Sequence, residues 1–329
     1  MSDDETYFDD LEFYEAKFNR EPSGRKGVKR KHDNRPERAL EAAGLAEATG
    51  AAAEWTMTYA PARFEAVWLR ASLASFYEEE WISDVLASVK GGKEANVYRC
   101  QAHPNTGEQL LVAKVYRPRQ FRNLRNDKAY RDGRAVLTPD GRPVKNTDHR
   151  LMRALGKKTA FGQQVSHTSW LMHEYTTLER LHQLGAAVPK PFASNENAML
   201  MTYWGDERQA APTLSSVRLD KRTAQRLFEE VMRNIELMLA EGLIHGDLSA
   251  YNILYWEEQI TLIDFPQVTH LASNRNARAI FQRDVVRVCD YFLAQGVRAD
   301  PNQLVAELWE QHGDDSLDDL MPLDEEVLE

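Results

Sequence analysis

The residues best suited to chemistry lie in one short segment, His-Gly-Asp-Leu-Ser-Ala-Tyr-Asn, which runs from His245 to Asn252. Asp264 follows twelve residues later, at the end of the apolar run Thr-Leu-Ile-Asp. Phosphoryl transfer requires a carboxylate near the attacking hydroxyl and oxygen ligands that hold magnesium against the phosphates. The spacing therefore predicts that Asp247 accepts or orients the hydroxyl proton, and that Asn252 and Asp264 are the metal ligands.

A basic group on the nucleotide phosphates is the next requirement of this chemistry. Lys114 is the candidate, because it ends the β-like run Leu-Leu-Val-Ala-Lys in the manner of the strand lysine of protein kinases. The kinase glycine loop is less evident. When the last valine of Gly-x-Gly-x-x-Gly-x-Val is aligned on Val97, only Gly92 is in place. By itself, the Gly-Gly pair at 91–92 predicts a turn.

The elements that position these residues follow from periodicity and turn signals. Short β-rich runs at about 85–89, 95–100 and 109–116 flank the Gly-Gly turn and an Asn-Thr-Gly turn, which predicts a small antiparallel sheet. Apolar periodicity predicts helices over about 170–184, 221–241 and 283–295. Further β-like runs cover 198–203, 253–256 and 259–264, with a turn at 257–258. The predicted fold class is α+β.

Three motifs resemble those of the RIO family of atypical serine/threonine protein kinases. Residues 88–98, Ser-Val-Lys-Gly-Gly-Lys-Glu-Ala-Asn-Val-Tyr, match its phosphate loop without a gap from Gly92 to Tyr98. Residues 245–252 reproduce its catalytic loop, His-x-Asp-Leu-Ser-x-Tyr-Asn, and residues 263–267 its metal loop, Ile-Asp-Phe-Pro-Gln. An Arg-Asp pair that opens the closing helix recurs at 283–284. The resemblance covers about residues 81–295.

The resemblance implies a two-lobed protein-kinase-like fold, with a small antiparallel β N-lobe and a mainly helical, truncated C-lobe. It implies ATP as nucleotide and Mg²⁺, or Mn²⁺ in its place, as metal. It also implies that Glu174 pairs with Lys114, and that Asp264 accepts phosphate transiently in an ATPase-like reaction. The catalytic residues are then Asp247, Asp264 and Lys114. The implied nucleotide-binding residues are Val89, Gly92, Lys93, Glu94, Ala95, Asn96, Val97, Lys114 and Glu174, with Met201 and Tyr203 in the adenine-binding linker.

Two other interpretations stay open from the residues. A small-molecule kinase of the aminoglycoside or choline phosphotransferase type also uses His-Gly-Asp, a following Asn and Ile-Asp-Phe, but generally lacks the Lys-Glu-Ala-Asn-Val-Tyr segment. A nucleotide-gated RNA- or ribosome-binding factor without catalysis would predict a damaged site. The five central residues are all present, which counts against the second: Lys114, Glu174, Asp247, Asn252 and Asp264. The expected phosphate acceptor is a protein, or the chain itself.

Charge is spread unevenly along a chain whose net charge is −10. Residues 20–38 form a basic segment with Pro and Gly, and residues 117–158 hold thirteen Lys/Arg against four Asp/Glu. RNA backbones are bound through such charge, so these segments predict an RNA or ribosomal partner, with solvated segments as the alternative.

The predicted organisation is a disordered or partly helical extension at 1–60, a kinase domain at 61–300 and an acidic tail at 301–329. Within the domain, the N-lobe covers about 81–200 and the C-lobe about 201–300. Cys100 and Cys289 lie far apart, without a Cys or His at metal-ligand spacing. No run of eighteen apolar residues occurs. We therefore expect a cytoplasmic protein without a membrane segment.

Overall fold

The computed structural model describes residue 55 and residues 57–92, 94–116, 135–144, 148–157 and 159–313. Outside the described residues lie 1–54 and 56 of the predicted N-terminal extension, Lys93, residues 117–134, 145–147 and 158 of the basic stretch, and the chain from residue 314. Two compact units divide the chain. Among the described residues, the first unit contains those up to 116 and those of Val136–Met172 and Ala193–Met199. The second contains Ala135, His173–Phe192 and those from Leu200 on. The sequence predicts a single change of lobe near residue 200, whereas residues 173–192 already belong to the second unit.

A five-stranded sheet, with the strand order β1-β2-β3-β5-β4, lies mainly in the first unit, although residues 191–192 of β4 and 200–202 of β5 belong to the second. β1 and β2, and β2 and β3, are antiparallel, which confirms the predicted hairpins. The Asn-Thr-Gly turn ends at Gly107, whose φ of 74° suits glycine. The strands are β1 (Ile82–Gly91), β2 (Ala95–Ala102), β3 (Leu110–Tyr116), β4 (Pro191–Ser194) and β5 (Ala198–Thr202).

A helix that the sequence analysis does not predict, α1 (Arg63–Glu78), precedes this sheet. Leu69, Leu73 and Phe76 are at most 1% exposed, and their spacing of four and three residues is the helical signal that identifies α1. Trp55, before the helix, stacks on Tyr77 with the ring centroids 5.0 Å apart. The folded first unit therefore includes residues upstream of the β-rich segment.

Helices dominate the second unit, as predicted. Two of the predicted helices begin earlier in the chain than the periodicity indicates. The helix predicted from residue 170 begins at residue 160, and the one predicted from residue 283 begins at residue 277. The helix predicted over 221–241 is confirmed almost to the residue, because Asp220 caps it by accepting from the backbone N–H groups of Arg222 and Thr223. The helices that follow α1 are α2 (His149–Gly156), α3 (Ala160–Gln183), α4 (Lys221–Ala240), α5 (Ala277–Ala294) and α6 (Pro301–His312). Of these, α2 and residues 160–172 of α3 belong to the first unit, and the rest belongs to the second.

Helix α6 corrects the predicted acidic tail, because the first twelve residues of that segment are helical. Asp300 caps the helix by accepting from the N–H groups of Asn302 and Gln303, and Pro301 occupies its first turn. Trp309 packs on Phe281 of α5 with ring centroids 6.0 Å apart. A cap and a buried aromatic residue therefore make this part of the domain, although its charge suggests a tail.

Two short antiparallel ribbons complete the second unit. β6 (Leu243–Ile244) pairs with β9 (Thr269–His270), and β7 (Ile253–Trp256) pairs with β8 (Gln259–Leu262). The turn predicted at 257–258 joins β7 to β8, and both of its glutamates have positive φ. The segments that carry the predicted chemistry follow β6 and β8.

Within the part of the chain that the structure describes, no helix is both long enough and apolar enough to cross a bilayer. Cys100 and Cys289 are buried free thiols. Burial raises the pKa of Cys100 to about 12 and that of Cys289 to about 11.

Candidate active site

The predicted catalytic loop, residues 245–252, joins β6 to β7. His245 is buried, and its Nε2 lies 3.1 Å from the carbonyl oxygen of Ile263. Its ring centroid is 4.6 Å from that of Phe265. Because Ile263 and Phe265 flank Asp264, His245 connects the catalytic loop to the predicted metal loop.

Gly246 is a position where the backbone requires glycine. Its φ is 83°, and a Cβ added there would stand 2.3 Å from the backbone oxygen of Gln267. A side chain at this position would therefore be strained by the left-handed backbone conformation. It would also overlap with a backbone atom that has little room to move. The close approach keeps the catalytic loop against the segment that follows Asp264.

Gly246→Ala is expected to lower the free energy of unfolding by at least about 2 kcal/mol, since strain and overlap add together. Gly185→Ala is the matched control, because Gly185 has a φ of 78° and nothing within 4 Å of an added Cβ. The control should lose about 1 kcal/mol, from conformation alone. Urea unfolding of both variants measures the difference, and equal losses would contradict the role assigned to the contact with Gln267.

Asp247 and Asn252 contact each other within the catalytic loop. The Nδ2 of Asn252 donates to the backbone oxygen of Asp247 at 2.8 Å and to its Oδ2 at 3.1 Å. Both partners are acceptors, so the amide nitrogen must face Asp247 and the amide oxygen must point elsewhere. This orientation leaves the carbonyl end of Asn252 as the group suited to a metal ion.

Asp264 follows β8 in an uncommon backbone conformation, with a φ of 72°. Aspartate tolerates the left-handed region better than most residues. The N–H of Ile263 donates to the backbone oxygen of Asn252 at 2.9 Å, which joins the metal loop to the catalytic loop. The structure thus brings the segments of Asp247, Asn252 and Asp264 together.

The residues present fit a hard divalent cation such as Mg²⁺, whose preferred ligands are oxygens. Asn252 would offer an amide oxygen and Asp264 a carboxylate. Among the described residues, no three His, Cys, Asp or Glu side chains cluster as a metal site. An ion held by these two residues would therefore share its coordination with phosphates and water, as magnesium does in nucleotide enzymes.

Glu174 lies in the second unit with the metal loop. It is 1% exposed on α3, and its Oε1 accepts from the N–H of Phe265 at 3.3 Å. This contact with the residue after Asp264 is not foreseen in the sequence analysis. The predicted partner, Lys114, belongs to the first unit. The pairing of Glu174 with Lys114 therefore stays a prediction.

The phosphate loop lies in the first unit, between β1 and β2, with Lys93 outside the described residues. The N–H of Gly92 donates to the carbonyl of Ala95 at 3.0 Å, and a Cβ on Gly92 would stand 2.7 Å from that same oxygen. Val89 is 37% exposed, and Glu94 is half-buried. The loop is therefore a tight turn that needs glycine at its start.

A chain of hydrogen bonds runs from β2 to α1. Asn96 Nδ2 donates to Tyr98 Oη at 3.0 Å, and Tyr98 Oη donates to Glu65 Oε1 at 2.7 Å. Burial and the carboxylate raise the pKa of Tyr98 far above its ordinary value. Lys114 stands across from Val97 in the β2–β3 pairing, which places the predicted lysine beside the phosphate-loop strand.

The predicted adenine-binding linker begins inside β5. Met201 is 8% exposed in that strand, and Tyr203 follows it, half-buried. A binding role for these two residues stays a prediction.

Arginines and an aspartate of α5 contact the catalytic loop. Asp284 Oδ2 accepts from the N–H of Gly246 at 2.8 Å, and Arg283 donates to the carbonyl of the same glycine. Arg287 Nη1 donates to Asp247 Oδ1 at 2.9 Å. The Arg-Asp pair is expected from the sequence, whereas Arg287 is not among the predicted residues, although its spacing of four residues from Arg283 places both on one helix face.

Burial raises the pKa of Asp284 to about 6, although Arg283 and the N–H groups of Leu248 and Gly246 oppose the rise. The ordinary pKa of an aspartate in an unfolded chain is about 3.9. The folded protein therefore binds this proton more tightly than the unfolded chain does. The stabilisation is complete below about pH 4 and is lost as the pH rises through 6.

Asp284→Asn is expected to remove this pH dependence, because an amide oxygen can still accept from Gly246 while the residue no longer titrates. The free energy of unfolding of the wild type minus that of Asp284→Asn should fall by about 3 kcal/mol between pH 4 and pH 7. Denaturant unfolding of both proteins across this range measures it. Parallel stability curves would contradict the raised pKa.

The first unit contains most of the β-sheet, which carries Lys114. The second unit is mainly helical, and in it the loop of Asp247 and Asn252 is hydrogen-bonded to the loop of Asp264. These features define a protein-kinase-like protein. A family model described as the RIO domain matches residues 96–304. The chain belongs to the RIO domain family, which places it among the atypical protein kinases. The predicted fold class and family resemblance are thereby confirmed.

Similar proteins are found in archaea and in a fungus. The chain is 31% identical over 229 residues to the RIO-type serine/threonine-protein kinase Rio1 of Haloferax volcanii, covering 69% of each protein. It is 30% identical over 228 residues to the Serine/threonine-protein kinase RIO1 of Chaetomium thermophilum, covering 66% of this chain but 40% of that protein. With Rio1 of Thermoplasma acidophilum it shares 30% identity over 135 residues, 41% of this chain and 69% of the relative.

Proposed function

We propose that this protein is an ATP- and Mg²⁺-dependent phosphotransferase, a serine/threonine protein kinase that also hydrolyses ATP through a transient phosphate on Asp264. One observation carries the proposal. Asn252 contacts Asp247 through its side chain and Ile263 through its backbone, so the proposed base and both proposed metal ligands lie in adjoining segments.

The proposed reaction assigns separate work to the two aspartates. In the first step, the bond between the γ-phosphorus and its bridging oxygen breaks, ADP leaves with the electron pair, and a carboxylate oxygen of Asp264 bonds to phosphorus. A water or substrate hydroxyl then attacks phosphorus while Asp247 accepts its proton, and the Asp264 carboxylate is released. Magnesium would be held by Asn252 and Asp264, and would neutralise the charge of the phosphates.

The nucleotide is proposed to bind the phosphate loop, Lys114 and the linker at Met201 and Tyr203. Glu174 would then have two contacts, an ion pair with Lys114 and the N–H of Phe265 beside Asp264. Mn²⁺ should support turnover in place of Mg²⁺, because the ligand set is all oxygen.

The kinase interpretation is favoured over a small-molecule phosphotransferase. The matched family and the named relatives are of protein-kinase type. We therefore propose a protein substrate, or the chain itself through autophosphorylation.

RNA or a ribosomal particle is the further partner proposed for the basic stretch 117–158. Its described part includes α2, on which Arg150 and Arg153 are exposed, with Lys157 exposed just after it. The basic segment 20–38 lies outside the described residues. Backbone binding by such charge should weaken steeply between about 50 and 200 mM salt.

Incubation with γ-labelled ATP and Mg²⁺ tests the proposal. Release of free phosphate, together with acid-labile label on the protein, would support the phospho-aspartate route. Acid-stable label on an added protein or on the chain would support serine/threonine transfer. Nucleotide binding without either product would favour the non-catalytic, nucleotide-gated factor instead.

A further inference from the structure

One face of α5 contacts three successive parts of the catalytic loop. Asp284 accepts from the N–H of Gly246, Arg283 donates to the carbonyl of Gly246, and Arg287 donates to the side chain of Asp247. The first two contacts hold backbone atoms. The third contact holds the Asp247 carboxylate, which the proposed function assigns to proton transfer. Its loss should therefore affect the reaction and not only the shape of the loop.

We propose that Arg287 is a positioning residue for phosphoryl transfer, which orients the Asp247 carboxylate toward the acceptor hydroxyl. The proposal rests on the proposed function, because it needs Asp247 to handle the hydroxyl proton. It adds a residue on α5 to a site otherwise built from the catalytic and metal loops.

The geometry explains how this orientation arises. Arg287 Nη1 lies 2.9 Å from Oδ1 of Asp247, and Asn252 Nδ2 lies 3.1 Å from Oδ2. A donor on each oxygen fixes the rotation of the carboxylate plane. A carboxylate has about four lone-pair sites, so two contacts leave acceptor capacity for a substrate hydroxyl. The hydroxyl can therefore bind without displacing either donor.

Exposure makes such a restraint necessary. The side chain of Asp247 is 42% exposed, so packing alone does not hold it in one rotamer. Arg283 cannot substitute for Arg287, because its guanidinium group contacts Gly246 and Asp284. The side chain of Arg287 is also 42% exposed. An exposed ion pair of this kind contributes little to stability, so a purely structural role predicts almost no effect of its removal.

The test compares Arg287→Met and Arg287→Lys with the wild type in steady-state ATP turnover and phosphotransfer. Arg287→Met should lower kcat roughly 10- to 100-fold, because small misplacement of a reacting group has effects of this size, while KM for ATP changes less than about twofold. Arg287→Lys keeps the charge but loses the planar guanidinium, and should recover part of the rate.

Arg180→Met is the matched control. Arg180 is also an exposed arginine with a carboxylate contact, 2.8 Å from Glu241, and it does not touch a predicted site residue. Its kcat should equal that of the wild type. Thermal unfolding of each variant establishes that the fold is retained.

A double-mutant cycle identifies the route of the effect. If Arg287 acts through Asp247, Arg287→Met should cause no further loss in an Asp247→Asn background, measured as residual label transfer. A normal kcat in Arg287→Met, a rise in KM for ATP alone, or an equal loss in both backgrounds would each overturn the inference. Lack of ATP turnover by the wild type would instead overturn the proposed function, and the inference with it.

Discussion

Asp264→Asn is expected to abolish Mg²⁺-dependent ATP turnover, with a loss of at least about 10³-fold in kcat. The substitution removes the negatively charged oxygen that is proposed to bind the metal. It also removes the nucleophile on which phosphate is proposed to rest. No other described residue of the metal loop offers a carboxylate in this place, so no neighbouring side chain should compensate for its loss.

Asparagine is a better replacement here than alanine, for a structural reason. Asp264 has a φ of 72°, and asparagine tolerates that region about as well as aspartate does. Asp264→Ala should be equally inactive but should also lose about 1 kcal/mol of stability from backbone strain. If Asp264→Asn and Asp264→Ala are equally inactive although their stabilities differ, the loss of activity is a chemical effect and not a result of unfolding.

The measurement is the release of labelled phosphate, together with acid-labile label on the protein. Both should disappear in Asp264→Asn, whereas nucleotide binding without metal should persist. Full turnover in this variant would refute the assigned site. Turnover that is lost while acid-labile label persists would refute Asp264 as phosphate acceptor, but not as metal ligand.

Asp247→Ala is expected to lower phosphotransfer and phosphate release about 10²- to 10⁴-fold, the usual effect of losing a positioned general base. In the proposed reaction, Asp247 acts on the attacking hydroxyl or water and not on the step in which ADP leaves. Phosphate on Asp264 should therefore form and then persist. Acid-labile label on the protein should therefore be absent in Asp264→Asn and should persist in Asp247→Ala.

Single-turnover labelling separates the two steps of the reaction. Asp247→Ala should show one equivalent or less of acid-labile label that decays slowly, and little free phosphate. The control variant is Asp290→Asn on α5. Asp290 is an exposed aspartate, and its substitution should leave both steps of the reaction unchanged. Rapid phosphate release in Asp247→Ala would contradict a role for Asp247 in proton transfer.

Much of the fold and site could be predicted because the signals are local. The β1–β2–β3 hairpins follow from alternating residues and turn glycines, and α4 follows from its period and cap. The segments of Asp247, Asn252 and Asp264 meet because they flank β7 and β8, two short strands joined by a tight turn. A short loop between paired strands leaves little freedom for their ends.

The helix boundaries and the C-terminal segment were predicted wrongly, and each error has a physical cause. Helix α6 carries acidic surface charge, but Trp309 buries against Phe281, and charge alone could not reveal that contact. Helices α3 and α5 begin earlier than predicted. Thr159 accepts from the N–H of Gly162 at the start of α3, and Ile280 and Phe281 of α5 are buried ahead of its predicted start.

By itself, the sequence determined the class of chemistry, since Asp247, Asn252 and Asp264 stand at a spacing that a single hairpin brings together. Only the tertiary structure decided what holds those groups. Arg287 is forty residues from Asp247, and Glu174 is ninety-one residues from Phe265. Contacts at such separations depend on how α3 and α5 pack, and no local propensity encodes them. The chemical groups were therefore readable in the chain, and their orientation was a property of the fold.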